Sequence, residues 1–264
     1  MHTFDRGKIH PTVLVGEGCT LGRDVTIGAH AIVHDNVEIG DGSFIGPHAI
    51  LGEPTLGFYR EGAYRNEPLR IGARAIVRSH SILYAGSEIG ENFECGHRVT
   101  IREGSRIGAF VRIGTVSDVQ GQCSIGDYVR MHSNVHVGQK SIVERCVWIF
   151  PYVVLTNDPT PPSDLLIGVT LEEFAIVATK SVVLPGVRVG RGALVAAMAL
   201  VRSDVAPGDV VRGVPAKVAG RVETIRRRAD GAEVYPWPQH FERGMPWEGV
   251  GFDAWARANG VAPL

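Results

Sequence analysis

The chain places an apolar, mostly aliphatic residue at every sixth position over most of its length. The repeated positions are Ile9, Val15, Leu21, Ile27, Val33, Ile39, Ile45 and Leu51, then Ile71, Val77, Leu83, Ile89, Cys95, Ile101, Ile107, Ile113, Val119, Ile125, Met131, Val137, Val143, Ile149 and Leu155, and finally Leu165, Leu171, Val177, Val183, Val189, Val195 and Val201. A period of six fits neither a helix nor a simple alternating strand, and it indicates a solenoid.

If each hexad is one short strand with its turn, three hexads close a triangular coil of eighteen residues. Roughly thirty hexads then give about ten coils, stacked at the ~4.8 Å spacing of paired strands. The first hexad position points into a narrow lumen, and the small or β-branched fifth position lies at a tight corner. Glycine often follows the first position, and we expect these glycines to supply the corner dihedrals. The pattern predicts an all-β parallel β-helix; an ordinary β-sandwich is the alternative.

Two segments interrupt the count. The first, "EPTLGFYREGAYRNEPLR", falls near residues 52–70, and the second, near residues 156–164, follows the start of "FPYVVLTNDPTPPSD". Proline cannot donate to the hydrogen-bond ladder of a sheet, so a proline-rich run must leave the coil. Both segments are predicted to be loops or, for the first, a projecting hairpin.

The repeat stops at residue 220. Residues 221–264 contain Trp237, Trp247 and Trp255, and an aromatic segment of this kind is expected to pack against the rest of the protein. We therefore divide the chain into a β-helix of residues 1–220 and a C-terminal extension of residues 221–264. The extension is predicted to cap the solenoid or clasp a trimer, with a substrate lid as the alternative.

Composition narrows the function classes. The 264 residues carry a formal net charge of -1 without long runs of Lys or Arg, which does not favour nucleic acid or an anionic membrane as partner. No secretory signal or long apolar window is visible, so we expect a cytoplasmic protein. The hexad count points Cys19, Cys95 and Cys123 inward; with Cys146 they form no C-x-x-C pair, and we expect free thiols and no metal site.

The eighteen-residue coil turns spacing into geometry, because side chains eighteen apart should stand above one another. Asp118 and His136 have this spacing and share the sixth hexad position. A carboxylate beside an imidazole orients the ring, as general-base catalysis requires. The alternative is a solvated ladder of polar side chains.

Other polar residues surround this pair in the predicted coil. Asn134 lies close to the same corner as His136, and Asn157 and Asp158 emerge a little over one coil later. The candidate catalytic residues are Asp118, Asn134, His136, Asn157 and Asp158. A second column contains His80, Arg98, Val116, Asn134 and Tyr152. His30 and His48 also stack, and we interpret them as a surface pair.

Repeats of the form Ile-Gly-x-x-Val-x, the early "IHPTVLVGEG" and the run from Ser181 to Gly220 resemble the hexapeptide-repeat acyltransferases over roughly residues 7–220. That resemblance implies a left-handed parallel β-helix, a homotrimer, and an acyl-coenzyme A bound between neighbouring helices. The Thr-Asn-Asp stretch in the second interruption is similar to a loop of enzymes that N-acylate amino sugars carried on a nucleoside diphosphate.

The resemblance also implies cofactor-binding residues, and the chemistry of the side chains suggests substrate contacts. The segment from Ala178 to Lys217 looks like the coenzyme A wall, and the candidate cofactor contacts are Ala178, Pro185, Gly186 and Lys217. Aromatic and Arg side chains can stack a base and bind a diphosphate, although a packing loop is the alternative for the first interruption. The candidate substrate contacts are Tyr59, Tyr64, Arg65, His80 and Arg98.

We therefore expect an enzyme that transfers an acyl group, acetyl from acetyl-CoA or another acyl group from its acyl-CoA, to the amino group of a nucleoside-diphosphate-linked amino sugar. The alternatives are an O-acyltransferase acting on a sugar hydroxyl, a γ-type carbonic anhydrase, and a non-catalytic trimeric scaffold. The carbonic anhydrase needs three convergent histidines. His97, His132 and His136 approach that spacing but miss it by one residue, so we expect no metal.

Overall fold

A computed structural model describes residues 7–60, 64–262 and 264 of the protein. Over these residues the chain winds through short strands that form three parallel sheets of ten, nine and eleven strands; only the last strand of the third sheet runs antiparallel. This confirms the predicted all-β parallel β-helix of about ten coils, and it agrees with the left-handed winding that the resemblance implies.

The strands of the described residues follow one another in chain order with few other elements. The first ten are β1 Leu14–Val15, β2 Thr20–Leu21, β3 Thr26–Ile27, β4 Ile32–Val33, β5 Val37–Ile39, β6 Phe44–Ile45, β7 Ile50–Glu53, β8 Leu69–Ile71, β9 Ile76–Val77 and β10 Ile82–Tyr84. The next ten are β11 Glu88–Ile89, β12 Glu94–Cys95, β13 Thr100–Ile101, β14 Arg106–Ile107, β15 Arg112–Ile113, β16 Asp118–Val119, β17 Ser124–Ile125, β18 Arg130–Met131, β19 His136–Val137 and β20 Ile142–Val143. The last ten are β21 Trp148–Ile149, β22 Val154–Leu155, β23 Thr170–Leu171, β24 Ile176–Val177, β25 Val182–Val183, β26 Arg188–Val189, β27 Leu194–Val195, β28 Leu200–Val201, β29 Asp209–Arg212 and β30 Lys217–Arg221.

The three sheets are the three walls of the coil. Face 1 contains β1, β4, β7, β10, β13, β16, β19, β22, β25 and β28; face 2 contains β2, β5, β8, β11, β14, β17, β20, β23 and β26; face 3 contains β3, β6, β9, β12, β15, β18, β21, β24, β27, β29 and β30. Within a face, strands pair at a separation of eighteen residues wherever the repeat is unbroken, as in Leu14 with Ile32. The predicted vertical neighbours are therefore real neighbours.

The first hexad position fills the lumen. Ile45, Leu83 and Ile149 are fully buried, and each such side chain stabilises the coil by roughly 1.5–3 kcal/mol relative to an exposed one. Ile9 and Val15 are 46% and 47% exposed because they belong to the first described coil, which has one neighbouring coil among the described residues. Packing between coils, rather than any one coil, produces the core.

The fifth position also faces inward, and serine there is fully satisfied. Ser81 Oγ donates to the Gly96 carbonyl oxygen at 3.1 Å and accepts the Val99 N–H at 3.2 Å. Ser105 and Ser181 each make the same two kinds of bond to the coil that follows them. A small side chain at this position thus joins consecutive coils as well as fitting the corner.

The corner dihedrals are not supplied by the glycines that follow the first position, and that expectation is wrong. The left-handed backbone falls two residues later, on side-chain-bearing residues such as His30, with φ 59°, and Asn134, with φ 59°. The glycines are needed for close approach between coils. A Cβ added to Gly114 would lie 2.4 Å from the carbonyl carbon of His132.

Both interruptions leave the solenoid at the corner between faces 1 and 2. The first connects β7 to β8 and contains a short helix, α1, at Leu56–Arg60. The second connects β22 to β23, so it runs from residue 156 to residue 169. Leu165 is 58% exposed, and the count therefore resumes at Leu171 and not at Leu165. Residues 165–169 belong to the loop, within which the Ile167 N–H donates to the Asn157 carbonyl oxygen at 2.7 Å.

The C-terminal extension packs along the flank of the solenoid. It contains 3-10 helices at Val222–Thr224 and Trp237–Gln239 and the helix α2 at Phe252–Ala258. Its apolar side chains form one cluster with residues at the corner of faces 2 and 3: Cys146, Phe174, Ile176, Trp237, Met245, Trp247 and Phe252. The end of face 3 is instead extended by β30, which pairs antiparallel with β29. The extension thus lies beside the coils and does not cover the end of the lumen as a cap would. The domain boundary at residue 220 stays a prediction.

We predict that Gly114→Ala lowers the free energy of unfolding by about 2–3 kcal/mol, because the new methyl group would overlap backbone of the next coil. Gly121→Ala is the matched control, since its Cβ would meet no atom closer than 3.2 Å, and a change below about 1 kcal/mol is expected. Urea titration followed by circular dichroism measures both. Equal losses in the two variants would contradict the close-approach explanation.

Candidate active site

Asp118 and His136 meet on the outer surface of face 1. They begin the adjacent strands β16 and β19 and are paired in register, and His136 Nδ1 lies 3.1 Å from Asp118 Oδ2. Gln120 Nε2 donates to the same carboxylate oxygen. The predicted stacking is confirmed, and the carboxylate has a second partner that the spacing argument did not include.

The contact fixes the protonation pattern of the pair. Burial by itself would raise the pKa of Asp118, but hydrogen bonds from His136 and Gln120 outweigh it and hold that pKa below its usual value. An ionised carboxylate only accepts, so Nδ1 of His136 carries the proton in the contact. In the neutral ring Nε2 is then free to accept a proton.

The surroundings of the pair are mostly apolar. The corresponding outward positions on the other strands of face 1 are Leu14, Ile32, Ile50, Ile82, Thr100, Val154, Val182 and Leu200. The His136 and Asp118 side chains are 41% and 36% exposed, so a substrate can reach them. A polar pair in an apolar wall interacts more strongly once a ligand excludes water.

A cation lies beside this wall at the corner of faces 1 and 2. The guanidinium of Arg102 is 5.5 Å from the ring centre of Tyr84 and pairs with Glu103 at 2.9 Å. Gln120 follows in the same column, one coil beyond Arg102. Sequence reasoning missed Arg102 and Gln120, although their eighteen-residue spacing from Tyr84 onward would have revealed the column.

The first interruption projects from the same corner. Tyr59 is 65% exposed, and its hydroxyl donates to Glu53 at 2.9 Å. The Tyr64 hydroxyl accepts a hydrogen bond from the Thr55 N–H and donates one to Asn66. Tyr64 therefore holds the two ends of this loop together. Arg65 is exposed. The substrate roles of Tyr59, Tyr64 and Arg65 stay predictions.

The second interruption begins next to the Asp118–His136 pair. Gly138, two residues after His136, packs so closely on the loop root that an added Cβ would lie 3.1 Å from Cβ of Asn157. The Asp158 carboxylate accepts the N–H groups of Thr160 and Ser163 and the Ser163 hydroxyl. These bonds, above all the one from the Ser163 hydroxyl, lower the pKa of Asp158. Asp158 therefore holds the loop, and its catalytic role stays a prediction.

The two interruptions bracket the pair along face 1. Five strand steps separate β7, where the first loop leaves, from β22, where the second leaves, which is about 24 Å. β16 and β19 lie between them. Sequence reasoning placed both loops in the chain but not at one shared corner.

His80, Arg98 and Asn134 lie at the opposite edge of face 1, the corner between faces 3 and 1. The first interruption brings His80 directly above His48, with ring centres 4.9 Å apart, and His30 stacks below at 5.1 Å. The two predicted columns are thus one column. His80 belongs to a histidine stack, and Asn134 is the member of this corner that immediately precedes β19.

The predicted cofactor residues occupy the upper coils. Ala178 follows β24 at the corner of faces 3 and 1, and Pro185 and Gly186 follow β25 at the corner of faces 1 and 2. These residues flank β25 on face 1, whereas Lys217 is exposed at the start of β30. Their contact with coenzyme A stays a prediction.

The zinc alternative has no support in the geometry. His97 contacts the Ser79 hydroxyl at 2.8 Å, and His132 stacks on Phe150 with ring centres 4.7 Å apart. In the described parts of the chain, no three His, Cys, Asp or Glu side chains are grouped as metal ligands. The described residues also contain no helix long and apolar enough to span a bilayer.

Comparison with known proteins agrees with the repeat. A family model described as bacterial transferase hexapeptide (six repeats) matches residues 18–53. An acyl-[acyl-carrier-protein]–UDP-N-acetylglucosamine O-acyltransferase of Agrobacterium fabrum is 29% identical over 232 residues, which cover 81% of this chain and 70% of the relative. These findings confirm the resemblance to the hexapeptide-repeat acyltransferases.

Other similarities are more local or more distant. A 2,3,4,5-tetrahydropyridine-2,6-dicarboxylate N-acetyltransferase of Staphylococcus aureus is 37% identical over 93 residues, 35% of this chain and 33% of the relative. The solved UDP-N-acetylglucosamine acyltransferase of Francisella novicida matches with a TM-score of 0.40 and 18% identity, over 81% of this chain and 70% of that chain. A mutant perosamine N-acetyltransferase of Caulobacter crescentus, solved with CoA and GDP-perosamine, matches with a TM-score of 0.34 and 22% identity, over 53% and 56%.

We predict that Asp158→Asn makes the second interruption more accessible to protease, by about tenfold in cleavage rate, because an amide cannot accept all three hydrogen bonds. Acid should have the same effect as this substitution, because the pKa of Asp158 is lowered in the folded protein. The ionised Asp158 carboxylate stabilises the loop above its pKa in the unfolded chain, and this stabilisation is lost as the pH falls through the lowered pKa. Limited proteolysis with mass spectrometry measures cleavage within residues 156–169. Asp164→Asn, at an exposed position of the same loop, is the control and should cleave like the wild type.

Proposed function

We propose that the protein transfers an acyl group from an acyl-coenzyme A to the amino group of a nucleoside-diphosphate-linked amino sugar, with His136 as the general base. The single observation that carries the proposal is the Asp118–His136 contact on an outer wall bracketed by two loops. The confirmed resemblance to hexapeptide-repeat acyltransferases supports acyl transfer as the reaction class.

The reaction needs little more than a positioned base and an oriented thioester. The neutral amine attacks the thioester carbonyl, and a carbon–nitrogen bond forms while the amine becomes an ammonium. His136 Nε2 accepts the ammonium proton, and Asp118 stabilises the imidazolium that results. The tetrahedral intermediate expels the coenzyme A thiolate, which takes the proton from His136. Proximity of the two substrates supplies much of the acceleration.

The acceptor fits along face 1. The distance of about 24 Å between the two loops is enough for an extended nucleotide sugar. At this corner Arg102 offers a cation for the diphosphate, which takes the place of the Glu103 carboxylate, and Tyr59 offers a ring for the base. We place the sugar at His136, beside Asn157 and Asn134.

The acyl donor belongs to the coils above. In the proposal the pantetheine arm passes Ala178, Pro185 and Gly186 toward β22, and Lys217 contacts a phosphate of the cofactor. The donor lies between neighbouring copies of a homotrimer, as the resemblance implies, and the cytoplasmic location is the one expected from the sequence. These assignments rest on the resemblance and on the position of the residues beside face 1.

A second candidate function is transfer to a sugar hydroxyl. The O-acyltransferase of Agrobacterium fabrum matches over 81% of this chain, whereas the match to the N-acetyltransferase covers 35%. The same His136 would deprotonate the hydroxyl during attack, a step in which base catalysis matters more than it does for an amine. The acceptor atom thus distinguishes the two candidates.

We predict that His136→Ala lowers kcat by roughly 10²–10⁴-fold, because it removes the base. Asp118→Asn should lower it about 100-fold, since an asparagine can donate to Nδ1 and leave the proton on Nε2. Asn157→Ala should also lower turnover. Release of free thiol from acetyl-CoA measures the rate, and circular dichroism confirms folding. His30→Ala, a histidine of the same solenoid outside the site, is the control; wild-type rates in both His136→Ala and Asp118→Asn would remove the assignment.

We further predict that a nucleotide sugar with an amino group is acylated at least about 100-fold faster than the matched sugar with a hydroxyl at that carbon. The physical reason is that a neutral amine is the stronger nucleophile toward a thioester. Mass spectrometry of the product identifies the amide or the ester. Preference for the hydroxyl in every matched pair would favour the second candidate function.

A further inference from the structure

A crevice separates the C-terminal extension from face 3, on a different wall from Asp118 and His136. Its volume is about 290 Å³. The residues that line it and bear on its chemistry are Glu94, Arg112, Arg130, Gly244 and Glu248. The proposed acyl transfer uses none of them.

Arg130 is buried, which is unusual for an arginine. It begins β18 on face 3 and is only 7% exposed. Its guanidinium donates to the carbonyl oxygens of Phe110, Val129 and Gly244. Among the described residues no carboxylate lies within ion-pair distance of it, although buried charges are normally paired.

Arg112 places a second cation beside Arg130. It precedes Arg130 by one coil and pairs with it in register on face 3, so two cations stand one strand spacing apart. Burial and the neighbouring Arg112 lower the pKa of Arg130 to about 10, and Arg130 is therefore still charged at neutral pH. Like charges directly opposite each other destabilise a sheet. Glu94 pairs with Arg112 at 3.3 Å, whereas the Glu248 carboxylate, which also lines the crevice, accepts the Gly244 N–H at 2.9 Å.

The side chain of Arg112 is 53% exposed and faces the crevice, whereas Arg130 forms its inner wall. Two adjacent guanidinium groups present paired N–H donors in the geometry that phosphate oxygens accept. The volume of the crevice is large enough for one phosphate group with a small organic substituent. An anion bound here would give the buried Arg130 the direct charged partner that it has in no described ion pair, and would touch both the solenoid and the extension.

We propose that this crevice is a binding site for a phosphate group, held by Arg112 and Arg130 at the seam between face 3 and the C-terminal extension. The group belongs to inorganic phosphate or to a small phosphomonoester. Binding joins the extension to the coils, because Arg130 already contacts Gly244 of the extension. The site is separate from the acceptor and cofactor positions proposed on face 1.

Isothermal titration of the full chain with inorganic phosphate at fixed ionic strength tests the proposal. Saturable binding is expected, and a parallel titration with ribose 5-phosphate shows which source binds more tightly. Arg112→Gln should weaken phosphate binding about tenfold or more, because one charge-assisted contact is lost. Glu94→Gln should instead strengthen it, since the competing carboxylate of Arg112 is removed.

Arg106→Gln is the matched control, since Arg106 also begins a strand but lies exposed on face 2. It should bind phosphate like the wild type, and circular dichroism should show all variants folded. Thermal unfolding gives a second readout: phosphate should raise the Tm of wild type more than that of Arg112→Gln. Absence of saturable binding, or equal affinities in wild type, Arg112→Gln and Glu94→Gln, would overturn the proposal.

Discussion

The hydrogen-bonded stacking of one coil on the next is the constraint on which the rest of the structure depends. Strand N–H groups such as that of Leu14 donate to carbonyl oxygens of the coil that follows, and the left-handed corner residues such as Asn36 donate back to the coil that precedes. The paired strands are eighteen residues apart wherever the repeat is unbroken. A coil by itself buries little, as the exposure of Ile9 and Val15 shows. The lumen is filled only because neighbouring coils enclose the same column of aliphatic side chains, so every outward position also acquires a fixed vertical neighbour.

The stacking of coils explains the residue types found at three different positions of the hexad. Glycine after the first hexad position lets backbones of consecutive coils approach, since the added Cβ of Gly114 would overlap the next coil. The left-handed corner residue carries a side chain and points outward, which is how His30, His48 and His80 form a stack. Inner serines such as Ser81 bond to the coil that follows.

The functional surface arises where the constraint is interrupted. An insertion can leave only at a corner, because strands must stay in register on either side of it. Both insertions use the corner of faces 1 and 2, and between them face 1 holds Asp118 and His136 in an otherwise largely apolar wall. The register fixes the imidazole against the carboxylate without any special loop. The loops define the length of the surface, and Asp158 stabilises the second one from within.

The sequence by itself determined the solenoid, its coil length and the Asp118–His136 contact, because a period of six converts directly into three walls with vertical neighbours. It also placed both loops in the chain, although Leu165 was counted as a strand position. Only the tertiary structure decided that the loops share one corner, that Arg102 and Gln120 stand beside the pair, and that the extension lies along face 3 against Arg130. The physical reason is that these contacts involve segments outside the repeat, whose path follows from packing between distant residues rather than from local periodicity.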